Sequence, residues 1–149
     1  MVSAHEDNLL VIEDDAHAEF IRAERLPRTR PDDPPRYRVL KPPVATTVCR
    51  FLDIVTVAPR QGHLIVAGVD VTQPRGWNSY LFENAQPEHP AYIAMVRFLD
   101  RIGAITTMKA RARIGAIALQ PGTEAQAQPV IAQAIAHRAI TLARGMRLP

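Results

Sequence analysis

Cysteine is almost missing from this chain. Cys49 is the only one in 149 residues, which rules out an internal disulfide and a cysteine-rich metal site. Lysine is scarce as well, two against sixteen arginines, a skew that carries no functional weight. No apolar run approaches the roughly 20 residues that a helix needs to cross a bilayer. The opening Met-Val-Ser-Ala-His-Glu-Asp lacks the basic-then-apolar order of a signal peptide. These absences lead us to expect a cytoplasmic protein that does not engage a membrane. No Gly-rich phosphate loop, no Ser/His/Asp nucleophile arrangement and no internal repeat is recognisable. The five histidines, at 5, 17, 63, 89 and 137, show no metal-ligand spacing.

What is present is a core-forming composition. With 47% hydrophobic residues the chain can build a sizeable core, and its length fits one domain over residues 1–149. The net charge of +3 conceals an asymmetry. Residues 1–34 hold nine acids and four arginines, net −5, whereas residues 35–149 hold fourteen basic residues and six acids, net +8. Residues 8–15, Asn-Leu-Leu-Val-Ile-Glu-Asp-Asp, run four apolar side chains straight into Glu13, Asp14 and Asp15. Clustered carboxylates at the end of a buried strand repel one another and lose solvation. A hard cation such as Mg²⁺ relieves both costs.

Apolar patterning predicts an alternation of strands and helices. Residues 8–13 read as a buried strand and 15–26 as a helix with Phe20 and Ile21 inward. A Pro-rich loop spans 28–35, and 36–40 read as a short strand. Residues 45–57 are ambiguous: their β-branched residues suit a strand, yet Val48, Phe51, Leu52 and Val55 share a helix face. Residues 63–69 read as a strand covered on both faces, followed by a loop at 71–76 and a short helix around 77–86, with Trp77 packed at its edge. A strand at 92–96, a helix at 98–112 weakened by Gly103, Ile105, Thr106 and Thr107, and a strand at 114–119 follow. A last helix carries the stripe Ile131, Ile135, Ala139, Leu142 and Met146, with Pro129 in its first turn or at a break. Five strand–helix units imply an α/β fold, a doubly wound parallel sheet with helices on both faces and sites beyond the C-terminal strand ends. Glu13, Asp14 and Asp70 would then open onto one crevice.

At these residues the chain resembles the receiver domain of two-component response regulators, the CheY-like, flavodoxin-like (βα)5 fold with strand order 2-1-3-4-5. The opening Leu-Leu-Val-Ile-Glu-Asp-Asp is similar to the family's first strand and acidic pair. Asp70-Val-Thr-Gln-Pro74 is similar to its phospho-acceptor motif, and residues 115–121, Gly-Ala-Ile-Ala-Leu-Gln-Pro, to its fifth strand. The resemblance implies a stand-alone, atypical receiver, a signalling protein rather than a metabolic enzyme. Asp70 would accept a phosphoryl group from a histidine kinase or phosphotransfer protein, with Mg²⁺ on Glu13, Asp14 and Asp70. A divalent cation would mask the charge between carboxylate and phosphoryl group. The chain departs from the pattern at Gln120, where the family has Lys, and at Arg97, where it has Thr or Ser. Arg97 would supply the cation that Gln120 lacks.

No output domain is expected after the last helix, so such a protein would act by binding a downstream target, and a homodimer through the fourth and fifth units fits the resemblance. The closing Arg147-Leu148-Pro149 resembles single-domain regulators that partner bacterial phytochromes. The runner-up is a degenerate receiver that binds protein without phosphate. A third class is a small basic nucleic-acid-binding protein using Lys109, Arg111 and Arg113, against which we read those residues as a solvated helix face. Cys49 is expected as a small core residue.

Overall fold

The structure, a computed structural model, describes residues 8–13, 17–44, 48–72, 77–109 and 111–143. The first 74 residues and the last 75 form two separate compact units, Met1–Pro74 and Arg75–Pro149. The first is built of strands, and the second combines four strands with two helices.

The first unit holds five strands: β1 (Asn8–Glu13), β2 (Ala18–Arg25), β3 (Arg36–Val39), β4 (Ile54–Arg60) and β5 (His63–Val71). They pair in sequence order as antiparallel neighbours, and a parallel pairing of β1 with β5 through Val11 and Ile65 closes the barrel. The side chains obey the period of two that strands impose. Along β2, Glu19, Ile21 and Ala23 are buried while Ala18, Phe20 and Arg22 are exposed. The barrel is filled by Leu10, Ile12, Ile21, Ala23, Tyr37, Val39, Cys49, Val55 and Val66. Between β4 and β5 the chain reverses through Gln61 and Gly62, both at positive φ (50° and 80°). That is the two-residue turn whose twist matches paired strands.

The second unit runs β6 (Asn78–Asn84), α1 (Pro90–Arg101), β7 (Ile105–Lys109), β8 (Ile114–Leu119), α2 (Glu124–Ala136) and β9 (Ile140–Leu142). Its sheet has the order β7-β8-β6-β9 with every registered pair antiparallel, which is the split βαβ arrangement. Phe82, Ile117, Leu119 and Ile140 of the sheet pack with Met95 and Leu99 of α1 and Ala127 and Ile131 of α2. Gly115 lies opposite Phe82 in the β6–β8 register. A Cβ at Gly115 would overlap the Phe82 ring and come within 2.9 Å of the Met108 sulfur.

This architecture overturns the receiver reading. A CheY-like domain is a parallel α/β sheet of order 2-1-3-4-5 wrapped by helices on both faces. Here both sheets are essentially antiparallel, and two helices occur among the described residues. Several elements explain the error. The helix expected at 15–26 is β2, where Glu19 at an inward position hides the alternation of its neighbours. The helix expected around 77–86 is β6, and the strand expected at 92–96 is the middle of α1. The weakened helix at 98–112 divides into the end of α1 and β7. The β-branched run Ile105-Thr106-Thr107 forms the strand that its side chains favour. The last apolar stripe spans α2 and β9, separated by Arg138 at φ 56°, with Pro129 inside α2 and Met146 outside the described residues. Among the described residues no helix is long and apolar enough to cross a membrane.

Replacing Gly115 by Ala should cost about 1–3 kcal/mol of stability, the usual toll of overpacking a filled core, read by urea denaturation. Pairing it with Phe82→Leu should recover part of that loss. Equal losses with and without Phe82→Leu would count against the Phe82 contact as the cause.

Candidate functional site

The residues expected to form one acidic crevice are dispersed. Glu13 ends β1, and its carboxylate is paired with the Arg60 guanidinium at the end of β4. Asp70 is the extra residue of a β-bulge, since Val55 pairs with Val69 and Ile54 with Val71. A bulge re-aims the inserted side chain. Here it faces Arg36 of β3, whose Nε lies 2.7 Å from Asp70 Oδ2, a close ion pair without hydrogen-bond alignment. Measured from the Val11–Ile65 pairing, Glu13 is two residues along and Asp70 five. At about 3.3 Å per residue that offset is roughly 10 Å. Asp14 and Pro74 lie outside the described residues. Among the described residues, no three His, Cys, Asp or Glu side chains gather as a metal site would require.

Arg97 and Gln120 belong to the second unit. Arg97 is exposed on α1. Gln120 follows β8, and its Nε2 donates to Gly103 O at 3.1 Å. Gly103 holds φ 80° at the end of α1, where Gly103 N–H donates to Asp100 O and Ala104 N–H to Leu99 O, a Schellman ending. Gln120 is thus a tie between a strand end and a helix cap. Lys109, Arg111 and Arg113 lie at the β7–β8 hairpin rather than on a helix face.

Two acids are buried in the first unit. The Glu19 carboxylate accepts the Val44 N–H at 3.1 and 3.2 Å. Asp53 Oδ2 accepts the Arg50 N–H at 2.7 Å. Cys49 is buried, as expected of a core residue. Its thiol is pushed up to about 12, first by burial and then by the charges of Asp53 and Glu19. A thiol so placed stays protonated and is a poor nucleophile.

The outer wall of the barrel is different in kind. Val11 lies directly opposite Phe20 on one side and Ile65 on the other, and Ile65 opposite Ala58. The inward neighbours Leu10, Ile12, Ile21 and Val66 are buried, so the period of two turns these four outward. They form an apolar row across β2, β1, β5 and β4. Phe20 is 53% exposed and Leu9, two residues along β1 from Val11, is 59% exposed. His63 packs edge-on against Phe20 with ring centroids 5.6 Å apart. The Glu13–Arg60 ion pair flanks the row, two residues along β1 from Val11 and along β4 from Ala58.

In the second unit, backbone hydrogen bonds draw three loops to one end. Asn84 N–H donates to Arg113 O at 2.6 Å, and Ala85 and Gln86 N–H both donate to Ala139 O. His89 caps α1, its Nδ1 accepting the Ala91 N–H at 3.0 Å, and stands 5.0 Å from the His137 ring at the end of α2.

Comparison with protein-family models and with curated proteins finds no match. A solved structure does match over nearly the whole chain. It is described as a novel crystal structure of a hypothetical protein from Neisseria gonorrhoeae, with TM-score 0.61 and 9% identity, covering 93% of this chain and 94% of that one. At that identity the likeness shows a shared fold and nothing about activity.

Sequence reasoning placed Phe20 inward and so missed the apolar row. The signal was present, because residues 18–23 alternate once Glu19 is accepted as an inward residue. His89 and Arg138 carried no such signal, since their neighbours arise only from tertiary pairing.

Two measurements check these assignments. At pH 8, Cys49 should react with a thiol reagent about a thousandfold more slowly than a free cysteine, following the loss of thiolate, and at the free rate once the protein is unfolded. Fast labelling of folded protein would show that the thiol is neither buried nor raised. His89→Ala should cost about 1 kcal/mol through the lost cap, while His89→Asn should recover most of it; a loss shared by both variants would place His89's contribution elsewhere.

Proposed function

We propose that this protein is a binding module that docks another protein on the apolar row of its barrel. The observation that carries this reading is the exposure of Phe20 and Leu9 beside Val11 and Ile65 on one strand face. A large aromatic on the outside of a barrel loses burial free energy that a partner would restore, about 25 cal/mol per Å² covered. Contiguous exposed apolar surface of this sort tends to mark an interface, and an aromatic at its centre is the kind of side chain that dominates binding energy. The partner would present an apolar side chain to Phe20 and Val11. Its polar groups would fall at the rim, near the Glu13–Arg60 pair. This reading keeps the phosphate-independent, protein-binding class expected from the sequence and drops its receiver setting. It asks nothing of Asp70, whose charge is already met by Arg36.

Photo-crosslinking tests it. With p-benzoylphenylalanine at position 20, an extract of the source organism should yield one discrete protein adduct. The adduct should vanish when Leu9→Ser and Val11→Ser are added, and a probe at the exposed Asp32, in the loop between β2 and β3, should not give it. The same adduct from position 32, or one that survives both serine substitutions, would sink the proposal.

A further inference from the structure

The second unit carries a charge excess that the docking reading does not use. Between residues 75 and 149 there are nine basic residues and four acids, net +5. Arg111 and Arg113 sit on the β7–β8 turn, and Arg138 on the turn from α2 to β9. The backbone bonds from Asn84, Ala85 and Gln86 bring these turns to the same end of the sheet. All three arginines are exposed, and among the described residues none of them has an ion pair. The nearby acids in sequence and register are Glu83 and Glu88, both exposed and unpaired with them.

The other groups at this end are mostly donors. His89 Nδ1 accepts the Ala91 N–H, so a neutral His89 ring carries its proton on Nε2. The first turn of α1 has no acid, leaving the positive end of its dipole unanswered. The opposite dipole end, that of α2, is covered: Gln86 Nε2 donates to Arg138 O at 3.1 Å and reaches toward His137 O at 3.5 Å.

Backbone conformation adds an independent point. Arg113 has φ 52° and Arg138 φ 56°. Arg138 occupies the left-handed position of a Schellman ending, its N–H donating to Ile135 O while Ala139 N–H donates to Ala134 O. Glycine adopts that conformation without steric cost. Two of the three arginines therefore hold their place against the local preference, and strain of this kind points to a use for the side chain.

We infer that this end of the second unit is a contact surface for the sugar–phosphate backbone of a nucleic acid. The cations stand on separate loops at the surface, which suits a run of phosphates better than one compact anion. Guanidinium groups meet phosphate oxygens in paired hydrogen bonds, and contacts of this type carry no base sequence.

The test is a fluorescence-anisotropy titration of labelled 20-nucleotide single strands and duplexes at 50, 100 and 200 mM KCl. Three phosphate contacts predict a log–log salt slope of about −2.7 for duplex, hence about fortyfold weaker binding at 200 than at 50 mM. R111Q/R113Q/R138Q should lose the binding, while R97Q/R101Q, with changes elsewhere on α1, should keep it. Arg138→Gly should raise the melting temperature and weaken binding together, separating the arginine's use from its cost to the fold. Absence of binding at 50 mM, an unaffected triple variant, or a more stable Arg138→Gly that binds as wild type would each overturn the inference. So would competition by inorganic phosphate as effective, mole for mole, as unlabelled duplex, since that would mark a compact anion site.

Discussion

A buried carboxylate fixes which face β2 turns to the barrel. Glu19 points inward and accepts the Val44 N–H with both oxygens. A backbone donor left unpaired there would cost about 1–3 kcal/mol. Because side chains alternate along a strand, a shift of one residue would exchange every inward side chain for an outward one. Phe20 would enter a barrel already filled by Leu10, Ile12, Ile21 and Tyr37, and Glu19 would lose its partner. The parity of β2 then sets that of β1, because the two strands pair from Asn8↔Ala23 to Glu13↔Ala18. Through Val11↔Ile65 it also sets the face that β5 presents. The apolar row outside the barrel is the necessary complement of the polar anchor inside it.

The same constraint accounts for what could be read from the sequence. The strands at 8–13, 36–39, 63–71 and 114–119 were legible, because short apolar or β-branched runs bounded by turn residues leave few alternatives. Their pairing was not. An apolar run such as 63–69 looks the same in a parallel sheet as in a barrel, although here it is buried only at Val66, and nothing local distinguishes the two. Once parallel pairing was assumed, the segments between strands had to be helices, and the polar Glu19 and Asn84 within β2 and β6 removed the alternation that would have contradicted it. The acidic residues were expected to need a cation, and in the fold Glu13 and Asp70 meet arginines instead. Arg60 and Arg36 lie far from Glu13 and Asp70 in the chain and reach them only across β-pairings. Such partners leave no mark on a linear pattern.

The two units treat left-handed backbone differently. In the barrel, positive φ falls at Gln61 and Gly62 in a two-residue turn, where twist requires it, and at Leu52 in the turn before β4. In the second unit, α1 ends on Gly103 and α2 on Arg138 with the same hydrogen-bond pattern. The two helix endings thus serve as an internal comparison. Equal geometry shows that the fold accepts either residue, and the glycine is the relaxed choice. Folding alone gives no reason for arginine at the second ending.

Local charge explains why that end remains open. In the first unit three arginines meet carboxylates: Arg38 binds Glu24 at 2.8 Å, and Arg36 and Arg60 hold Asp70 and Glu13. Such surface pairs add little stability, but they cancel the field that would draw an anion. The second unit has four acids for nine basic residues, and one of the four, Glu124, is engaged by Asn78. The cations of the β7–β8 and α2–β9 turns therefore keep their field, strengthened by the positive end of α1, whose first turn carries no acid. The acidic first unit, by contrast, pairs Glu13, Glu24 and Asp70 with its own arginines and carries an apolar row on its outer wall. Two recognition chemistries, apolar contact and phosphate attraction, thus fall on separate halves of one short chain.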